Sequence, residues 1–117
     1  MPTTVSPYRQ VKSLKLDPSV LEIDLVETTR RATNFIKEYV ENSGAKGVVI
    51  GLSGGVDSNT IAALTSLAIG GDKVLGLLLP EEETRCPEDI DDAFKVADQF
   101  DLKTQLCDIT PVLRSLY

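Results

Sequence analysis

Two apolar stretches without polar alternation, Gly47-Val-Val-Ile-Gly-Leu52 and Lys73-Val-Leu-Gly-Leu-Leu-Leu79, constrain the fold of this chain more than any other feature. A strand with one solvated face alternates apolar and polar side chains, whereas an unbroken apolar run of this length suits a strand buried on both faces of a parallel sheet. Parallel neighbours need crossovers long enough to bring the chain back, and the sequence supplies them. Asn59 to Ile69 carries Ile61, Ala62, Leu64, Thr65 and Ala68 at helical spacing and stops at Gly70-Gly71. After the second run Pro80 ends the strand, Pro87 suits a first helical position, and Ile90, Ala93, Phe94, Ala97 and Phe100 form the next stripe. Thr104-Gln-Leu-Cys-Asp-Ile109 predicts a third strand, and Thr110-Pro111 an N-cap with a first-turn proline. Upstream, Asp24 and Glu27 form a capping box, and Leu25, Thr29, Ala32, Phe35, Ile36, Tyr39 and Val40 recur at helical spacing until Asn42-Ser43-Gly44. The order predicts an α/β fold: an open parallel sheet with right-handed crossovers and helices on both faces, of which this chain is the first half.

A chain of 117 residues holds one domain or part of one. Residues 1–20, with Pro2, Pro7 and Pro18, predict an extended N-terminal arm, and residues 21–117 the sheet domain. No apolar run reaches the roughly 20 residues of a membrane span, and the N-terminus lacks the charged-then-apolar layout of a secretory leader, so a cytoplasmic setting is the default expectation. The net charge of −6 is concentrated: between Glu81 and Asp101 nine acids face two bases, and the remainder is about neutral. That stretch is expected to be a solvated helix face, and its sign disfavours nucleic acid and anionic membranes as partners. The absence of histidine excludes Ser-His-Asp triads and His-ligated zinc within the chain. Cys86 and Cys107 form no CxxC and are expected to be reduced thiols, Cys107 in the core and Cys86 at a helix start. Phe35, Tyr39, Phe94 and Phe100 are expected to pack in the core.

The sharpest chemical signal is Ser53-Gly54-Gly55-Val56-Asp57-Ser58, a loop between a buried strand and a helix. Five fixed positions of this kind match at random about once in a million starts at ordinary residue frequencies. Paired glycines allow successive backbone N–H groups to converge on phosphate oxygens, and the following helix adds the positive end of its dipole. Ser53 and Ser58 can donate hydroxyl hydrogen bonds to the same oxygens. A carboxylate inside an anion nest repels the anion unless a cation stands between, so Asp57 is expected to ligate Mg²⁺ bridging to phosphate. The bland alternative is that Asp57 and Ser58 cap the helix and the glycines turn the chain. No GxxxxGK[ST] is present, so this is not a Walker A loop.

Gly51-Leu-Ser-Gly-Gly-Val-Asp-Ser58 resembles the pyrophosphate-binding loop of the adenine nucleotide alpha-hydrolase (N-type ATP pyrophosphatase) superfamily. Together with the helix from Asp24 to Asn42, Ala45-Lys-Gly-Val-Val-Ile50, Lys73 to Pro80, Pro87-Glu-Asp-Ile-Asp-Asp-Ala93 and Asp108-Ile-Thr-Pro111, it is similar to the N-terminal portion of the NAD⁺ synthetase family from about Leu21 to Tyr117. The resemblance implies that ATP and Mg²⁺ adenylate deamido-NAD⁺, that ammonia displaces AMP, and that NAD⁺ and pyrophosphate leave. It implies that Gly51, Leu52, Ser53, Gly54, Gly55, Val56, Asp57 and Ser58 hold ATP phosphates, with Asp57 on the metal. Leu79 is implied near the adenosine, and Thr84 as a further contact. It assigns no catalytic residue here, because a second metal carboxylate, a phosphate-binding lysine and the dinucleotide pocket belong to a later part of the family's chain. It also implies a homodimer, and an ammonia-dependent enzyme if the protein starts at Met1, with the isolated 117 residues inactive alone. The alternatives are another ATP-pyrophosphatase amidotransferase or thiolase, similar to GMP synthetase or tRNA-thiolating enzymes, and a non-catalytic nucleotide-binding fragment. Strands side by side in chain order put the switch point beside the first strand and leave its edge open.

Overall fold

The computed structural model describes residues 17–82 and 86–116. Most of the expected arm, Tyr8, Thr84 and Tyr117 lie outside the described residues. A short 3₁₀ turn at Pro18–Leu21, capped by the Asp17 carboxylate, leads into the domain.

Three parallel strands, β1 (Val48–Gly51), β2 (Val74–Leu78) and β3 (Lys103–Leu106), lie in the order β1-β2-β3. The register pairs Val48 with Val74 and Gly51 with Leu77, then Leu75 with Lys103 and Leu78 with Leu106. Pairing continues past the strand ends. The Leu52 N–H donates to the Leu77 carbonyl at 2.8 Å, and those of Cys107 and Ile109 donate to Leu78 and Pro80 at 2.8 and 3.0 Å.

Four α-helices accompany the sheet: α1 (Leu25–Ser43), α2 (Val56–Ile69), α3 (Pro87–Gln99) and α4 (Thr110–Leu116). The Asp24 half of the capping box forms, its carboxylate accepting from the Glu27 N–H at 3.1 Å, while the Glu27 carboxylate pairs with Arg30, and Gly44 closes α1 with φ of 73°. Pro87 opens α3. A second short 3₁₀ turn, Gly71–Lys73, delivers the chain into β2.

The core lies where Ile50, Leu52, Val74 and Leu78 of the sheet meet Ala62 of α2 and Ala93 and Ala97 of α3, with Phe100 packed against its margin. Alanines on both helices are almost fully buried, which lets the helix backbones approach the sheet closely. The same face carries Gly76, and a Cβ built there would run into the Leu52 side chain.

Several expectations are corrected. Helix α2 starts at Val56, not Asn59: Gly55 takes the extended N-cap conformation, so Val56, Asp57 and Ser58 form its first turn instead of a loop. The third strand begins one residue early and ends at Leu106; it is an edge strand and all four of its residues are exposed. Cys107 is therefore exposed, not core. Phe35 and Tyr39 are each 68% exposed and stack on one another, ring centroids 6.1 Å apart, since α1 packs mainly on α2 and uses only part of its apolar band. In β1, Ile50 is buried while Val49 is 64% exposed: this outermost strand is covered on one face.

Candidate functional site: a glycine turn at the head of a helix

Gly51 ends β1, and Leu52 follows with its side chain in the core. The chain then turns through Ser53, Gly54 and Gly55 and enters α2 at Val56. All eight residues of the expected phosphate loop are thus one continuous segment at the C-terminal end of the sheet. Its backbone can turn this sharply because Gly54 adopts φ of 82°, a left-handed conformation that costs other residues about 1–2 kcal/mol. Gly54 also abuts α3: a Cβ there would stand 2.5 Å from the Asp89 carbonyl oxygen.

Two hydroxyls tie the turn together. The Ser53 N–H donates to Ser58 Oγ at 3.2 Å, the two hydroxyl oxygens lie 3.1 Å apart, and the Gly55 N–H donates to Ser53 Oγ at 3.2 Å. Ser58 Oγ also lies 3.3 Å from the Gly55 carbonyl as a donor. Both serines therefore hold the loop's shape in addition to any contact they make with a ligand. The first intrahelical bond runs from the Asn59 N–H to the Gly55 carbonyl at 3.1 Å. The N–H groups of Val56, Asp57 and Ser58 stand at the positive end of the helix dipole, outside its hydrogen-bond ladder.

The Asp57 side chain is exposed in that first turn. Among the described residues no group of three His, Cys, Asp or Glu side chains forms a ready metal cage. A lone carboxylate beside a phosphate nest fits Mg²⁺, which keeps several waters and takes one or two carboxylates plus phosphate oxygens. Val56 is 80% exposed and can contribute only its backbone and an apolar wall.

Beside the loop opens a cleft of about 200 Å³. Ser53 and Leu52 form one side, Leu79 and Pro80 the floor beyond β2, and Cys86, Asp89 and Ile90 of the α3 start the other wall. Leu79, expected near an adenosine, does line this cleft and is 48% exposed. Thr84 lies outside the described residues. The α3 residues were not foreseen, since no spacing rule brings residue 89 to residue 54. Asn59, which donates to the Gly54 carbonyl at 3.5 Å, was also missed; an amide in a helix that opens at such a loop was its only sequence signal.

The segment after β2 is anchored from α4. Buried Thr110 accepts at Oγ1 from the Glu82 N–H (2.9 Å) and donates to Asp108 Oδ1 (2.5 Å), while Arg114 pairs with Glu82 on the surface at 2.5 Å. A larger cleft lies at the opposite end of the sheet, where Lys37, Lys46 and Lys73 gather around the ends of α1 and α2. It has no glycine nest and no helix N-terminus.

Comparison with known proteins places this geometry. The chain is 44% identical over 96 residues to an NH₃-dependent NAD⁺ synthetase of Hyperthermus butylicus, covering 82% of this chain and 35% of that protein. It is similar to the solved NH₃-dependent NAD synthetase of Campylobacter jejuni at a TM-score of 0.74 and 32% identity, over 80% of this chain and 40% of that one. A glutamine-dependent NAD⁺ synthetase of Acinetobacter baumannii, solved with ADP, matches at a TM-score of 0.76 and 27% identity over 88% and 19%. The chain thus spans about a third of the length of the curated relatives it matches. A sequence profile of the NAD synthase family matches residues 28–117, and with these likenesses it shows that the chain belongs to the NAD synthase family.

Proposed function

We propose that this chain forms the ATP-holding part of an ammonia-dependent NAD⁺ synthetase. In that reaction a carboxylate oxygen of deamido-NAD⁺ attacks the α-phosphorus of ATP and pyrophosphate leaves. Ammonia then attacks the activated carbonyl, AMP departs, and the amide of NAD⁺ remains. The observation that carries the reading is the Ser53–Ser58 turn, with Gly54 at φ of 82° and the N-terminus of α2 directly behind it. The names of the relatives supply the product, NAD⁺, and the nitrogen source.

The geometry supports a division of labour. Backbone N–H groups at the head of α2 bind the phosphates, and Ser53 and Ser58 fix the curvature that aims them. Asp57 would hold Mg²⁺, which when bound would supply positive charge to the phosphates. The cleft bounded by Leu79, Pro80 and Ile90 receives the adenosine, with apolar surface for the base. Thr84 is proposed as a further contact on the same side. Residues that complete the metal site and bind the dinucleotide belong to the two-thirds of the relatives' length not matched here. A homodimer is the proposed assembly, and the exposed Val26, Phe35 and Tyr39 of α1 offer an apolar surface for it. No described helix is long and apolar enough to cross a membrane, and the cytoplasm is the proposed setting.

The test is an assay of the full-length protein with deamido-NAD⁺, ATP and Mg²⁺, supplied with ammonia or with glutamine. NAD⁺ and AMP formed in equal amounts with ammonia alone support the reading. ATP turnover driven by a different acid substrate, with none on deamido-NAD⁺, overturns it.

A further inference from the structure

Asn59 is placed where stability alone would not put it. It is the fourth residue of α2, and asparagine is a poor residue for a helix interior because its amide competes for backbone partners. Its side chain turns back under the loop, where Nδ2 donates to the Gly54 carbonyl at 3.5 Å while Oδ1 is sealed from solvent with no hydrogen-bond partner. Rotating the amide by half a turn would not cure this, because Oδ1 would then face the Gly54 carbonyl, acceptor against acceptor. A buried acceptor without a donor destabilises a fold.

What the arrangement secures is one peptide plane. In a trans peptide the carbonyl and the following N–H point in opposite directions. The Gly54–Gly55 peptide is held at both ends, its carbonyl by Asn59 Nδ2 and its N–H by Ser53 Oγ at 3.2 Å. Between two glycines the barrier to flipping such a plane is unusually low, because neither residue's Cβ resists the change. A flip would break both bonds and swing the Gly54 carbonyl oxygen out to the side where Ser53 Oγ stands, adding an acceptor to the face that is to take phosphate.

We propose that Asn59 is a positioning residue for the phosphate loop, locking the Gly54–Gly55 peptide in the orientation that keeps the Gly54 carbonyl turned away from a bound anion. The proposal rests on residues 51–58 binding phosphate. Its signature is a divergence between stability and binding, which a packing role would not produce.

The test measures three ligands on the full-length protein, by calorimetry: inorganic pyrophosphate with Mg²⁺, ATP with Mg²⁺, and adenosine. Asn59→Ala removes both the useful donor and the orphaned acceptor, so its melting temperature should equal or exceed that of the parent. Pyrophosphate and ATP should bind about threefold to tenfold more weakly, the worth of one ordinary hydrogen bond, and adenosine unchanged. Asn59→Leu keeps the approximate shape but loses the donor without adding charge, and should show the same ligand pattern even if the alanine variant fails to fold. Pyrophosphate affinity within twofold of the parent in both variants overturns the proposal, as does a lowered melting temperature with all three ligands weakened in step. If the unmodified protein does not bind pyrophosphate, the phosphate reading of the loop itself falls, and the role of Asn59 with it.

Discussion

Gly54→Ala isolates the close packing of the loop against α3. Two costs add. The left-handed backbone at φ of 82° charges alanine about 1–2 kcal/mol that glycine does not incur. The new Cβ would also stand 2.5 Å from the Asp89 carbonyl oxygen and 3.1 Å from two further backbone atoms of that residue. Backbone cannot rotate aside as a side chain can, so the loop and α3 must part by about half an ångström or more, at a cost typical of overpacking, about 1–3 kcal/mol. The total is about 2–5 kcal/mol. Gly55→Ala is the matched comparison: its φ is −83°, and its Cβ would meet only the Ser53 hydroxyl at 3.3 Å, so it should lose no more than about 1 kcal/mol. Urea unfolding of the two variants reads the difference directly. Gly54→Asn, which tolerates the left-handed region, should recover at most the conformational share and none of the clash. If Gly54→Ala is within about 0.5 kcal/mol of Gly55→Ala, the contact with Asp89 does not constrain the loop and the reasoning fails.

Other changes separate the remaining contributions. Asp57→Asn should weaken ATP binding at least about tenfold in the presence of Mg²⁺ and hardly at all in EDTA, measured by calorimetry; equal losses in both would remove Asp57 from the metal. Its effect on folding should stay within about 0.3–1 kcal/mol, the worth of an acid in a first helical turn. Thr110→Val keeps the volume of a buried side chain but loses the bonds to Glu82 and Asp108, and should lower stability by about 1–3 kcal/mol in urea titrations. Arg114→Met should cost less than about 1 kcal/mol despite the 2.5 Å ion pair with Glu82, because both side chains are more than half exposed; a larger loss would show that the pair does more than decorate the surface.

Local chemistry was legible wherever one short segment decides the outcome. The Asp24 cap and the Gly44 stop bound α1 within a residue of the expected span, because cap and turn are set by neighbours in sequence. The glycine turn between β1 and α2 was legible for the same reason. The start of α2 was misplaced because Asp57 and Ser58 look like turn residues by composition, yet suit a first helical turn once Gly55 serves as the cap. The exposure of Cys107, Phe35, Tyr39 and Phe94, the last also expected in the core, was not legible, since an apolar pattern says which face could be buried and not what covers it. The wall formed by Cys86, Asp89 and Ile90 depends on the β2–α3 crossover returning the chain beside α2, a relation between elements more than thirty residues apart.

The missing Cβ of Gly54 has a thermodynamic consequence. The loop proposed to take phosphate and the helix start that borders the proposed adenosine cleft share a backbone contact with no slack, so neither can shift without the other. Binding at one end of a nucleotide therefore settles part of the conformational freedom at the other. Adenosine and pyrophosphate, offered as separate molecules, should each raise the affinity for the other, and by the same factor, because such coupling is reciprocal. On that account the proposed site would read ATP as a single object, sensing whether base and phosphates arrive together.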